Sequence, residues 1–385
     1  MPTTDLSFLA LHKDGTLLGD LLADLLTEHS DWRVGAAVRL PRHSLAYCVD
    51  KLDTWESDTD YLLADPETRL MVLPYRNRGR GRDDYAYLQE SDPAANRSRF
   101  VDRVLRAQAG ARRDVLISPW LIHGLTGRTH ELNVTVDFAR RTLDHSLAED
   151  RQVLVGVEAT EAIFADKTSL DAMLDEIVEL DDAPPVYLRM ATSAALGGRK
   201  QYENAAALSG LRAAVEALVE NDHVVMLPQS GLAGWLMLGF GAHSFGAGIP
   251  ATLQRCPLPV ARSGGGGGQP ALQWYFHPQL IGFVRADELG DLERVDGAES
   301  CDCPYCDATP PAPGPAFDRT AADKHFLRWC VALAEEIRQA PDRAEAVQQR
   351  VEAAARHWQT VQEAGVVLDP RSQPSHLATW TQVVA

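Results

Sequence analysis

Short apolar runs alternate with longer amphipathic stretches along the first two thirds of the chain, and this alternation limits the fold more than any other feature. The runs at 61–64, 115–118, 153–157, 186–190 and 224–227 are each short enough to be buried strands. Between them, residues 166–180 and 203–220 place apolar side chains at helical spacing. Strand followed by helix, repeated, describes parallel βα units. An earlier strand near 36–40 or 45–49 and a later one near 243–248 bring the count to seven or eight. That number suits an α/β fold of the (β/α)8 TIM-barrel type better than an open sheet.

The flanks break the pattern and suggest an organisation in four parts. Residues 1–53 read as an N-terminal extension, with Leu-Leu pairs across 15–27 marking an amphipathic helix, and residues 54–262 as the barrel body. Residues 263–340 begin with a run of glycines at 264–268, continue through a hairpin around His277 and Pro278, and reach a cysteine cluster and a proline-rich linker. A helix then starts near Ala321, with Thr320 as its cap and Asp323 completing an approximate capping box. The remainder, 341–385, is a long helix to about 364, stopped by Gly365, and a tail.

Composition narrows the class. With 45% apolar and 24% charged residues, a chain of 385 residues can bury a large core. The net charge of -17 repels a nucleic-acid backbone unless the basic residues are clustered. No apolar stretch approaches the roughly 20 residues of a transmembrane helix, and the start lacks the basic and apolar regions of a signal peptide, so the expectation is a cytoplasmic protein with no membrane partner.

Six cysteines in so long a chain do not form a disulfide framework, yet Cys301, Cys303 and Cys306 crowd into six positions. Three thiolates in such a knuckle can reach one tetrahedral ion, and His325 on the following helix supplies a fourth ligand. A closed Cys3His site of this kind holds zinc for structure rather than catalysis. The alternatives are a reduced cluster, a redox pair, or Cys330 as the fourth ligand, although Cys330 lies five residues after His325 and so points to another side of the helix.

A Cys-x-Cys-x-x-Cys motif followed by a helical histidine, at the end of a β/α barrel, resembles the zinc motif of the tRNA-guanine transglycosylase family; the spacing from Cys306 to His325 is 19, shorter than in that family. The resemblance covers roughly residues 55–340. It implies exchange of guanine for a deazapurine base in a nucleic acid, commonly by a homodimer, with two strand-end carboxylates at work. One traps the oxocarbenium-like ribose and the other handles protons. Asp65, ending the run at 61–64, resembles the family's first strand-end aspartate, but Pro66, Glu67, Thr68 and Arg69 stand where the family has Ser-Gly-Gly-Phe-Gln. The segment 241–248, aligned with the family's nucleophile, holds no carboxylate, which leaves Glu158 as the substitute nucleophile or the chain as a non-catalytic binding or accessory barrel.

Other polar ends on apolar strands extend the candidate mouth: Trp120, His123, Arg189, Gln229, Ser230, Gly231 and His243. Gln229 to Gly231, opening a helix, could offer backbone N–H groups to an anion or a base edge. A salt bridge accounts equally well for Asp65 or Glu158, and a core histidine for His243. Arg76, Arg78, Arg80 and Arg82 form a basic run downstream of Asp65 that could meet the phosphates of tRNA or DNA, or be a solvated loop balanced by Asp83 and Asp84.

Overall fold

The computed structural model describes residues 8–11, 22–24, 33–56, 59, 61–74, 77–111, 115–125, 130–193, 201–248, 254–259, 272–295, 301, 303–308 and 317–385. Twelve strands are formed among these: β1 (Phe8–Leu11), β2 (Val34–Arg39), β3 (Tyr61–Asp65), β4 (Val115–Ile117), β5 (Ile122–His123), β6 (Gln152–Thr160), β7 (Val186–Thr192), β8 (Val225–Leu227), β9 (Ser244–Ala247), β10 (Cys256–Pro257), β11 (Trp274–His277) and β12 (Gly282–Arg285).

Eight of them are parallel staves in the order β3-β2-β1-β9-β8-β7-β6-β4. β3 and β4 pack beside each other without a ladder, so the barrel is nearly closed. The expected (β/α)8 architecture is therefore present. Helices Leu45–Trp55, Arg97–Gly110, His130–Leu143, Lys167–Val178, Ala205–Glu220 and Leu232–Leu238 fall between successive staves, and Arg319–Gln339 packs on β1 and β9 to complete the ring.

Alternation along each stave separates two cores. Phe8, Ala10, Ala36, Val38, Ala64, Val155, Val157, Val186 and Leu188 face outward into the core shared with the helices. Leu9, Leu11, Ala37, Leu63, Ile117, Leu154, Tyr187 and Met226 fill the barrel interior. Because staves buried on both faces read as continuous apolar runs, they are easy to recognise when long and easy to miss when short.

Four expectations change. β1 and β2 are barrel staves, so the boundary expected at residue 54 cuts through the barrel. Residues 45–49 are helical, with Ser44 accepting from the Tyr47 backbone N–H as N-cap. The helix carrying His325 starts at Arg319, capped by Asp318 rather than Thr320, while Asp323 lies 3.6 Å from Arg319. The C-terminal tail contains a further helix, His376–Val384, whose Trp380 donates its indole N–H to the Tyr202 carbonyl. The helix expected at 15–27 lies outside the described residues except for 22–24, and the glycine run at 264–268 lies wholly outside them. Among the described residues, no helix is long and apolar enough to cross a membrane.

Candidate metal centre and barrel mouth

The metal centre is assembled by three elements. Cys301, Cys303 and Cys306 come from the knuckle before and within the short helix Pro304–Ala308, His325 from the second turn of Arg319–Gln339, and the hairpin β11–β12 lies against both. The His325 Nδ1 lies 3.6, 3.3 and 3.3 Å from the three sulfurs, and all four candidate ligand atoms fall within 4.8 Å of one another. Thiolate and imidazole around one tetrahedral ion sit about 3.5 Å apart. His325 Nε2 lies 2.8 Å from the Phe276 carbonyl, which fixes the ring so that Nδ1 faces the sulfurs. Tyr275 stacks on that ring at 4.4 Å, and its hydroxyl lies 3.1 Å from the Cys306 sulfur. The cluster can hold a metal ion. Cys330, the rival ligand, is fully buried in the barrel-side core.

The second site is the C-terminal end of the barrel, where the alternation that puts apolar residues in the interior switches to charge. Above Ala37, Leu63, Gly156 and Tyr187 the next inward positions are Arg39, Asp65, Glu158 and Arg189, with Arg39 in register with Asp65 and Glu158 with Arg189. Gly156 is required here, since a Cβ would meet the Trp120 ring at 2.4 Å and the Ser118 carbonyl at 2.6 Å. Its absence lets the indole lie inside the barrel and donate to Glu158 Oε2 at 2.9 Å.

Asp65 and Glu158 are both 0% exposed. Asp65 accepts from Arg189 Nη2, from the Tyr187 hydroxyl at 3.2 Å and from the Glu67 backbone N–H at 2.8 Å. Glu158 pairs with Arg69 at 3.0 Å, and the Cys256 thiol lies 3.8 Å from its Oε1. The loop Pro66 to Arg69, noted in the sequence only as a departure from the family motif, organises this layer. Glu67, in the left-handed region at φ 41°, accepts from Arg39 at 3.1 Å and Arg42 at 3.0 Å. Burial alone would raise the Glu67 carboxyl, but Arg39 and Arg42, with Arg189 and Arg69 behind them, hold it down at about 2. Thr68 bonds the Trp120 backbone N–H at 2.9 Å and carbonyl at 3.0 Å, and Arg69 reaches the Cys256 sulfur at 2.6 Å. Burial pushes the Cys256 thiol up to about 12, so it sits there as a neutral donor.

Asp65, Glu158, Arg189 and Trp120 therefore meet, as their strand-end positions suggest. His123, on β5 opposite Ala159, lies at the rim, and burial lowers its imidazole against the opposing pull of Glu131. His243 does not join them, because it precedes β9 and its N–H bonds Val225 at the start of β8, which places it at the opposite end of the barrel. Gln229 to Gly231 follow β8 at the mouth end, but the backbone N–H groups of Ser230 and Gly231 are taken by the Gly246 carbonyl, so they are not offered to a ligand. The basic run is likewise committed in part. Arg78 is buried and donates to the carbonyls of Leu73, Leu88, Glu90 and Met71, which removes it from any phosphate contact; Arg80 is exposed, Arg82 bonds the Gly79 carbonyl, and Arg76 lies outside the described residues. Glu67, Arg69, Tyr187 and Cys256 were not singled out from sequence; a run of polar residues directly after a strand-end aspartate is the signal that points to the first two.

The fold and these two sites define a (β/α)8 barrel protein with an appended subdomain whose Cys3His cluster can hold a metal ion. Neither the protein-family models nor the curated proteins contain a match to the chain.

Proposed function

We propose that the protein is a barrel enzyme that cleaves and re-forms an N-glycosidic bond, exchanging guanine or a deazaguanine in a nucleic acid, with zinc as the ion of the metal subdomain. The observation that carries this reading is the layer of Asp65 and Glu158 with Arg39, Arg69 and Arg189 at the C-terminal end of the staves. Burying three ion pairs removes several kcal/mol of hydration per charge, which folding alone does not require. Such clusters at barrel strand ends serve chemistry as a rule. In this reading Glu158 attacks the ribose anomeric carbon as the C–N bond electrons leave with the purine, and Asp65 exchanges the purine's proton. Arg189 and the Gln229 to Gly231 turn line the same mouth. Zinc is favoured over other ions by three thiolates and one imidazole in a closed tetrahedral set.

A second reading, a non-catalytic barrel that serves as a binding or accessory protein, is favoured by one observation: all four carboxylate oxygens of Asp65 and Glu158 already accept from protein groups. The two readings separate on incubation of the purified protein with labelled guanine and tRNA or DNA. Label entering polymer with the native chain and not with Asp65→Asn supports exchange. A folded, metal-loaded protein that incorporates nothing into either polymer supports the accessory barrel.

A further inference from the structure

The arginines of the mouth present more donors than their partners accept. Arg189 is 1% exposed; its Nη2 is used by Asp65 and the Tyr187 hydroxyl, but its Nε and Nη1 meet no acceptor among the described residues. The same holds for Nε of Arg39 and Nε of Arg69, both more than nine-tenths buried. Four buried guanidinium nitrogens without an acceptor thus lie in one layer, and an unpaired buried donor is costly. The ion pairs do not remove this demand. Arg189 is matched to Asp65, Arg69 to Glu158 and Arg39 to Glu67, while Arg42, the fourth cation, shares Glu67. Among the described residues the layer therefore carries one positive charge beyond its carboxylates, with the half-buried Arg42 as the fourth cation. The Trp120 and Tyr187 rings flank the Arg189 guanidinium, with their centroids 5.0 and 5.1 Å from its carbon, within cation–π range.

We infer that this layer is a binding site for a phosphate group, with Arg189 as its principal donor and Arg69 and Arg39 beside it. A phosphate matches the surplus charge and offers several acceptor oxygens to the guanidinium nitrogens that lack a partner. Among the described residues, the carboxylates of the layer, Asp65, Glu67 and Glu158, are already counted. The phosphate belongs either to a nucleic-acid backbone or to a free nucleotide. The inference rests on the proposed reaction only for that source and stands without base exchange.

Calorimetric titration of the full metal-loaded chain with inorganic phosphate, GMP, a short guanine-containing oligonucleotide and guanosine tests it. Saturable binding of phosphate and the phosphorylated ligands, with none for guanosine at equal concentration, is the expected result. Tightest binding of GMP assigns the site to a free nucleotide; tightest binding of the oligonucleotide assigns it to a backbone. Arg189→Lys, which keeps the charge beside Asp65 but loses the fork, should weaken phosphate about tenfold or more. Should that variant fail to fold, phosphorus NMR of the unaltered protein serves instead: phosphate line broadening must saturate and be reversed by sulfate. Equal binding by Arg189→Lys, or no saturable binding of phosphate or GMP at millimolar concentration, overturns the proposal. Phosphate binding without base exchange would refute the enzyme and leave this site standing; base exchange without phosphate binding would do the reverse.

Discussion

Glu67 shows how much a single side chain carries at the barrel mouth. Its folded carboxyl, held at about 2, lies below the ordinary carboxylate value, so it contributes stability that is fully present above the unfolded value near 4.5 and is lost as pH falls through that window toward about 2. Glu67→Gln, which leaves Arg39 and Arg42 without their counter-charge, should destabilise the protein at neutral pH by roughly the 3–5 kcal/mol that breaking a buried ion pair costs. The gap between the two proteins in denaturant unfolding should narrow as pH drops from 6 toward 3; a gap independent of pH would show that Glu67 acts through shape and not charge. Gly156 is the converse case, a residue needed for what it lacks. Gly156→Val should destabilise the fold by roughly 1–3 kcal/mol and move the Trp120 indole off Glu158, which tryptophan fluorescence would report; an unchanged emission and stability would mean the barrel interior has room to spare.

At the scale of elements, the cluster of Cys301, Cys303, Cys306 and His325 joins the cysteine knuckle and the hairpin β11–β12 to the helix Arg319–Gln339, the one that closes the barrel against β1 and β9. The small core around it, with Tyr275, Leu280, Val284, Leu289, Leu292 and Val295, is satellite to the main one and leans on the cysteines themselves. With zinc in the cluster, as proposed, removing the ion should therefore loosen this subdomain before the barrel. Cys303→Ser is expected to lose stoichiometric metal, measured by elemental analysis, and to lose amide-exchange protection in 274–306 while the staves keep theirs. Metal-free protein with full protection in that segment would remove the ion from the architecture.

For the whole molecule, the placement of β1 between β2 and β9 joins the start of the chain to its middle. A chain beginning at residue 54 lacks two of eight staves and leaves β3 and β9 with open edges. Such a fragment should give aggregated or unfolded protein by size-exclusion chromatography and circular dichroism. A monomeric, cooperatively folded fragment would show that the barrel tolerates a gap of that width.

What was legible in the sequence is what local periodicity and local spacing express. Apolar runs at 153–157 and 186–190 announce staves because burial on both faces leaves no polar alternation, and Cys301, Cys303, Cys306 and His325 announce a ligand set because three thiols in six residues can reach one point in space. Asp65 and Glu158 were legible as strand ends for the same reason. β1 was not, since four apolar residues carry too little pattern to be told from any other short run. The layer at the mouth was decided only by tertiary structure. Whether Arg189 meets Asp65 across 124 residues, whether Arg69 reaches Glu158 or solvent, and which end of its stave His243 occupies depend on how the sheet curves and closes, and long-range pairing of charges leaves no mark in local sequence.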